Sequence, residues 1–194
     1  MSEFSLYLQL GFQHISDIAG YDHILFIVAL CAVYELRQWK HLLILVTAFT
    51  IGHSITLAIA TMGVVLIPSR IVEFLIPVTI FLTAVFNTMG QRALLPGRRV
   101  NLNYFLALFF GLIHGMGFSN YLRALLGEEE SILVPLFSFN LGLEIGQLMI
   151  VAIILTISYL ALNTFRVKLR EWTLFISGAA AGIALILMSE TKFW

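Results

Sequence analysis

The sequence predicts an all-α protein of the polytopic membrane class: one bundle of about six transmembrane helices, preceded by a short N-terminal interfacial or re-entrant helix. Three observations carry that expectation. Of the 194 residues, 60% are hydrophobic and only 11% charged, whereas soluble domains carry roughly 25% charge. Mean hydropathy is +0.96. Apolar runs near the roughly 20 residues needed to cross the hydrocarbon recur along the whole chain, and no polar linker or charge block separates them. Residues 1–194 therefore read as a single transmembrane domain.

Taken in order, residues 3–18 are only moderately apolar, contain Glu3, His14 and Asp17, and are too short to span; they form the expected interfacial or re-entrant helix. Spans follow near 20–36, 41–64, 69–90, 103–125, 132–162 and 171–190. The fifth exceeds the bilayer thickness and should tilt or protrude. The N-terminus has no basic n-region and no small-residue cleavage site, so the first span is expected to serve as the insertion signal and to stay. The one cysteine, Cys31, cannot form an intrachain disulfide. A net charge of zero, with no basic patch mixed with exposed aromatics, argues against nucleic acid as a partner.

Charge placement orients the bundle. Arg37 and Lys40 lie between the first two spans, Arg92, Arg98 and Arg99 between the third and fourth, and Arg166, Lys168 and Arg170 between the last two. These make up eight of the eleven basic residues. Arg70, Arg123 and Lys192 fall on the other face, with Glu128, Glu129 and Glu130. By the positive-inside rule both termini face away from the cytoplasm.

Four polar islands interrupt the apolar runs: Gly20 to His23, Gly52 to Ser54, Gly111 to Gly115, and Asn140 to Gln147. Ionisable and amide groups at membrane depth are costly and mark function by default. At about 1.5 Å rise per residue, His53 and His114 each lie ~16 Å from the outer ends of their helices and Glu144 lies ~18 Å in. These three share one level, with Asp22 and His23 expected nearer the outside, Asn140 pointing toward them and Glu73 lining the approach. Asn140, Glu144 and Gln147 form one stripe at i, i+4, i+7; Thr50, His53 and Ser54 share a face, with Thr47 one turn below. Gly111 with Gly115, Gly142 with Gly146, and Gly178 with Gly182 are small-xxx-small pairs suited to close helix packing. His14 and His23 lie nine residues apart, on opposite faces of a continuous helix, so a break near Gly20 would be needed to bring them together.

Imidazoles and carboxylates without thiolates suit nickel, cobalt, zinc or ferrous iron. Asp22, His23, His53, His114 and Glu144 are the candidate metal ligands, with His14, Ser54, Glu73, Asn140 and Gln147 as supporting or pathway residues. A divalent cation would also offset the cost of burying two carboxylates.

The motifs carry a resemblance. Gly20-Tyr-Asp22-His23-Ile-Leu-Phe26 followed by Phe49-Thr-Ile-Gly52-His53-Ser54-Ile-Thr-Leu57 is similar to the HupE/UreJ proteins, small polytopic membrane proteins associated with nickel enzymes. Residues 110–118 and 139–147 resemble the branch with Phe-Gly-Leu-Ile-His-Gly-Met-Gly-Phe and Phe-Asn-Leu-Gly-Leu-Glu-Ile-Gly-Gln motifs. The Asp-His-Ile and Gly-His-Ser pieces also resemble motifs of larger nickel/cobalt permeases. The resemblance implies nickel or cobalt uptake through a bacterial inner membrane and nominates Asp22, His23, His53, His114 and Glu144 as site residues.

Two functions follow. One is a transition-metal permease for nickel or cobalt, or for zinc or iron, with its site in the outer half of the membrane. The other is a zinc-dependent intramembrane hydrolase acting on a lipid or amide, with Glu144 or Asp22 as general base and an open metal position for water. It resembles in kind the membrane hydrolases of the alkaline ceramidase type. The partners expected are the lipid bilayer and the metal ion; homo-oligomerisation is left open.

Overall fold

Seven helices make up the computed structural model, which describes residues 2–65, 67–89, 96–126 and 132–194. They are α1 (Glu3–Ser16), α2 (Asp22–Cys31), α3 (Trp39–Thr61, entered through a 3₁₀ turn at Leu36–Gln38), α4 (Ser69–Thr88), α5 (Pro96–Leu126), α6 (Leu133–Tyr159) and α7 (Leu169–Glu190). Among the described residues there is no strand. Leu36–Thr61, Ser69–Thr88, Leu133–Thr164 and Leu169–Glu190 are each long and apolar enough to cross a membrane, and α5 has 31 residues. The chain is a helical membrane bundle. Five of the six expected spans coincide with α3 to α7. Arg92 and Glu128 to Glu130 lie outside the described residues, as do the side chains of Arg98, Arg99, Asn103 and Arg123.

The first span departs from expectation. Instead of one helix over 20–36, α2 has ten residues, about 15 Å of rise, half of what a bilayer needs. The missing half is α1. Its 14 residues pack into the bundle along one face: Tyr7, Gly11 and Ile15 are buried, and the backbone of α1 runs directly against α6. Gly142 meets the Leu8 carbonyl and the Phe12 amide, and Gly146 meets Phe12 and Ile15. Later residues of α1 face later residues of α6, so the two helices run parallel along the first half of α6. At its far end α2 stops against the last turn of α4 and the first of α7. There Asn87 Nδ2 donates to the Ala29 carbonyl (2.7 Å) and Thr173 Oγ1 to the Ala32 carbonyl (2.9 Å). These bonds satisfy orphan carbonyls that an apolar setting would leave costly. Together the 14 residues of α1 and the ten of α2 have the length of one broken crossing.

The break has local causes. Ser16 Oγ bonds back to the Phe12 carbonyl (2.7 Å), a helix-loosening contact. Asp17 takes an extended conformation and its Oδ1 accepts from the Ala19 amide (2.9 Å), closing an Asx turn. Asp22 restarts the helix in its first turn, where a carboxylate is favoured by the helix dipole.

A second parallel pair, α3 with α5, packs by the same device. Gly52 rests on the Leu108 carbonyl, Gly111 on the Phe49 backbone, and Gly115 on the His53 carbonyl. Gly178 and Gly182 differ: among the described residues nothing lies within 4 Å of either position, so this small-residue pair packs on no described helix. Helix α7 instead lies against α4, with Phe193 and Trp194 against Phe74.

Candidate metal centre

The break between α1 and α2 turns two residues on opposite faces of a hypothetical single helix into neighbours. His14 lies in the last turn of α1 and His23 in the first turn of α2, with ring centroids 4.7 Å apart. The parallel pair α3 and α5 supplies the other two imidazoles. His53 stands 6.1 Å from His14 and 6.4 Å from His23, and His114 stands 5.0 Å from His23, centroid to centroid. Four helices thus converge on one point. His53 is 0%, His114 1% and His23 5% exposed; His14 is half-buried.

Hydrogen bonds fix how two of the rings point. Phe110's carbonyl lies 2.9 Å from His114 Nδ1 and can only accept, so Nδ1 carries the proton and Nε2 keeps a free lone pair. Asp22 Oδ1 lies 3.1 Å from His23 Nδ1 and also accepts from the His23 amide (2.9 Å), which likewise frees His23 Nε2. A carboxylate behind an imidazole orients metal-ligating histidines and raises their basicity. His14 Nε2, His23 Nε2, His114 Nε2 and both ring nitrogens of His53 are buried with no hydrogen-bond partner. Buried polar atoms are almost always paired; a cluster of imidazole lone pairs facing one another is a donor set suited to a cation. One ligand nitrogen from each of His14, His23 and His53 lies within 4.8 Å of the others. Metal–nitrogen bonds of 2.0–2.1 Å set such atoms about 3.4 Å apart in a tetrahedral site, so modest ring rotation closes the set. The carbonyl end of α1 adds partial negative charge at the break.

Phe49, Phe118 and Phe139 wall the cluster, with Phe118 4.1 Å from His14 and Phe49 5.2 Å from His114. Water is largely excluded there, which strengthens every electrostatic contact.

The remaining sequence candidates divide. Asn140 approaches His53 while its Oδ1 stays without a closed hydrogen bond and its Nδ2 donates to the Leu136 carbonyl (2.8 Å). Gln147 accepts from Thr50 Oγ1 and Glu144 from Thr47 Oγ1, each at 2.8 Å; Glu144 is engaged across the α3–α6 seam, not among the imidazoles. Ser54 Oγ donates to the Thr50 carbonyl (2.7 Å), and Glu73 is exposed near the start of α4. His23, expected shallower than His53 and His114, stands beside both, and Asp22 with it, because α1 precedes them in the bundle. His14, ranked as a supporting residue by its spacing, is a full member of the cluster. Its signal was present: Gly11 and Gly111, each packed on a neighbouring backbone, both precede a histidine by three residues, which puts His14 and His114 beside a helix contact.

Broken helices, close glycine packing and a buried imidazole cluster with the donor chemistry to hold a metal ion define the class: a helical membrane protein with a candidate metal centre. The chain belongs to the HupE/UreJ family: it matches the family described as HupE / UreJ protein over residues 1–192, which ties it to membrane handling of nickel or cobalt. Among curated proteins and among solved structures, nothing matches the chain.

Proposed function

We propose that the protein is a permease for a divalent transition metal, nickel or cobalt, and that its substrate binds among His14, His23, His53 and His114 with Asp22 behind His23. The observation that carries this reading is the set of buried, partnerless imidazole nitrogens contributed by α1, α2, α3 and α5. Neutral imidazole suits these metals, and an all-imidazole set with neutral supporting amides binds less tenaciously than a thiolate cage, as a carrier requires. Glu144 and Gln147, paired with Thr47 and Thr50, continue polar character along the α3–α6 seam and form the onward route. Arg37, Lys40, Arg166, Lys168 and Arg170 gather at the connections α2–α3 and α6–α7; we place that end in the cytoplasm and both termini outside a bacterial inner membrane. Hydrolysis is not favoured by any observation: the two carboxylates it would use as bases are already engaged with His23 and Thr47.

The test is uptake of nickel and cobalt into proteoliposomes, with His53→Ala and His23→Ala as controls. Uptake by the wild type that both substitutions abolish is the expected result. If the wild type moves neither metal across the bilayer, the carrier reading is lost.

A further inference from the structure

His53 is 0% and His114 1% exposed, so an ion reaching them must pass another residue first. His14 is the cluster member that lines a cavity: an open groove of about 620 Å³ between α1 and α5, walled by Leu10, Gln13, Asp17, Phe118 and Tyr121. Six waters at about 30 Å³ each occupy about 180 Å³, so the groove admits a hydrated cation where the packed cluster does not. Asp17 and Ile18, the first residues of the exposed break at 17–21, line the groove. Irregular backbone exposed at membrane depth is tolerated only where it faces protein or water, and a carboxylate and a carboxamide beside it mark the groove as wet. The Asp17 carboxylate meets the Ala19 amide through Oδ1, and among the described residues it has no ion-pair partner.

We infer that this groove is the hydrated cation's way to the imidazoles, with Asp17 as the carboxylate that collects it and His14 as the first imidazole to replace a water. The inference rests on the permease reading and adds its route and first contact. Asp17 acts on arrival alone: a cleft bearing charge of one sign raises the on-rate of its counter-ion, and salt screens that effect.

The experiment follows the rate and the amount of nickel binding to the full chain in detergent. Asp17→Asn keeps the Oδ1 acceptor that closes the turn and removes only the charge. It is expected to slow association about tenfold at low ionic strength, with the difference disappearing at high salt and the amount bound unchanged. In a second arm, Gln13→Cys on a Cys31→Ser background is treated with a charged, membrane-impermeant thiol reagent, with Glu190→Cys as control. Labelling at position 13 should slow binding at least about tenfold, and labelling at position 190 should not. A position 13 thiol that resists the reagent, or one that reacts without slowing binding, overturns the route. An Asp17→Asn rate equal to wild type at low salt removes Asp17 from it. A wild type that binds no nickel ends the metal-site reading itself, and this inference with it.

Discussion

Two helix pairs in this bundle use one packing device and obtain different things from it. In both, glycines let parallel backbones touch: Gly52, Gly111 and Gly115 between α3 and α5, Gly11, Gly142 and Gly146 between α1 and α6. The first pair consists of long helices that carry His53 and His114 in mid-helix, held from both sides. In the second, α1 ends two residues after His14 and gives way to an exposed turn. Equal contacts therefore leave unequal freedom. On the permease reading proposed above, a carrier needs ligands that define the site and at least one that can yield; α3 and α5 would supply the former, α1 the latter.

The largest effect should come from breaking each pair by the same substitution. A Cβ at Gly111 would land on the Phe49 backbone, and one at Gly11 on the Phe139 carbonyl; neither obstacle is a movable side-chain tip. Overpacking of this kind costs about 3 kcal/mol or more where backbone must shift. Gly111→Leu is expected to unfold the bundle, read as loss of a monodisperse peak in detergent. Gly11→Leu should displace α1 alone, giving a folded protein with weakened nickel binding. Identical outcomes for the two would show that α1 is as integral as α5, and the contrast drawn above would go.

This difference also explains what the sequence could reveal. Five spans were legible because each holds about 20 apolar residues between polar ends, and the polar islands stood out against them. The broken crossing was not legible, because hydropathy counts uninterrupted length and α1 and α2 are each too short to register. Depth counting shared that blind spot: it measured Asp22 from the bilayer surface when 14 helical residues already stood in between. A shared level for Glu144, His53 and His114 does not specify a facing direction, and a threonine on α3 bonds the Glu144 carboxylate. Gly178 and Gly182 match a packing pattern that finds no partner among the described residues.

Next in size is the contrast between the ligands. His53→Ala removes the one imidazole with both nitrogens buried and unpartnered, and nickel affinity should fall by more than about 100-fold, beyond the range of a supporting group. His14→Ala removes the half-buried ring, and the remaining three should still hold the ion. Its affinity should fall less than that of His53→Ala while the release rate rises. Isothermal titration with stopped-flow chelator release reads both quantities, and equal losses would argue against a fixed set plus a yielding member. Asp22→Asn should come lower still, within the roughly 10–100-fold typical of groups that orient a ligand. The asparagine keeps an acceptor oxygen for His23 and loses only the charge.

The smallest effect is expected where the two pairs meet. Thr47 on α3 and Glu144 on α6 help join the rigid pair to the one that carries the broken crossing, through a hydrogen bond at 2.8 Å beside that of Thr50 and Gln147. Glu144→Gln preserves an acceptor for the threonine hydroxyl, so stability should change by only about 1 kcal/mol. Nickel affinity should not change, because the carboxylate lies apart from the imidazoles. If the seam is the onward route, uptake into proteoliposomes should nevertheless slow, since the ion leaving His53 would lose the one anionic group on its way. Affinity unchanged with uptake reduced separates a pathway residue from a ligand. A joint loss of both would return Glu144 to the metal centre and place the ion across both helix pairs, so that no single pair defines the site.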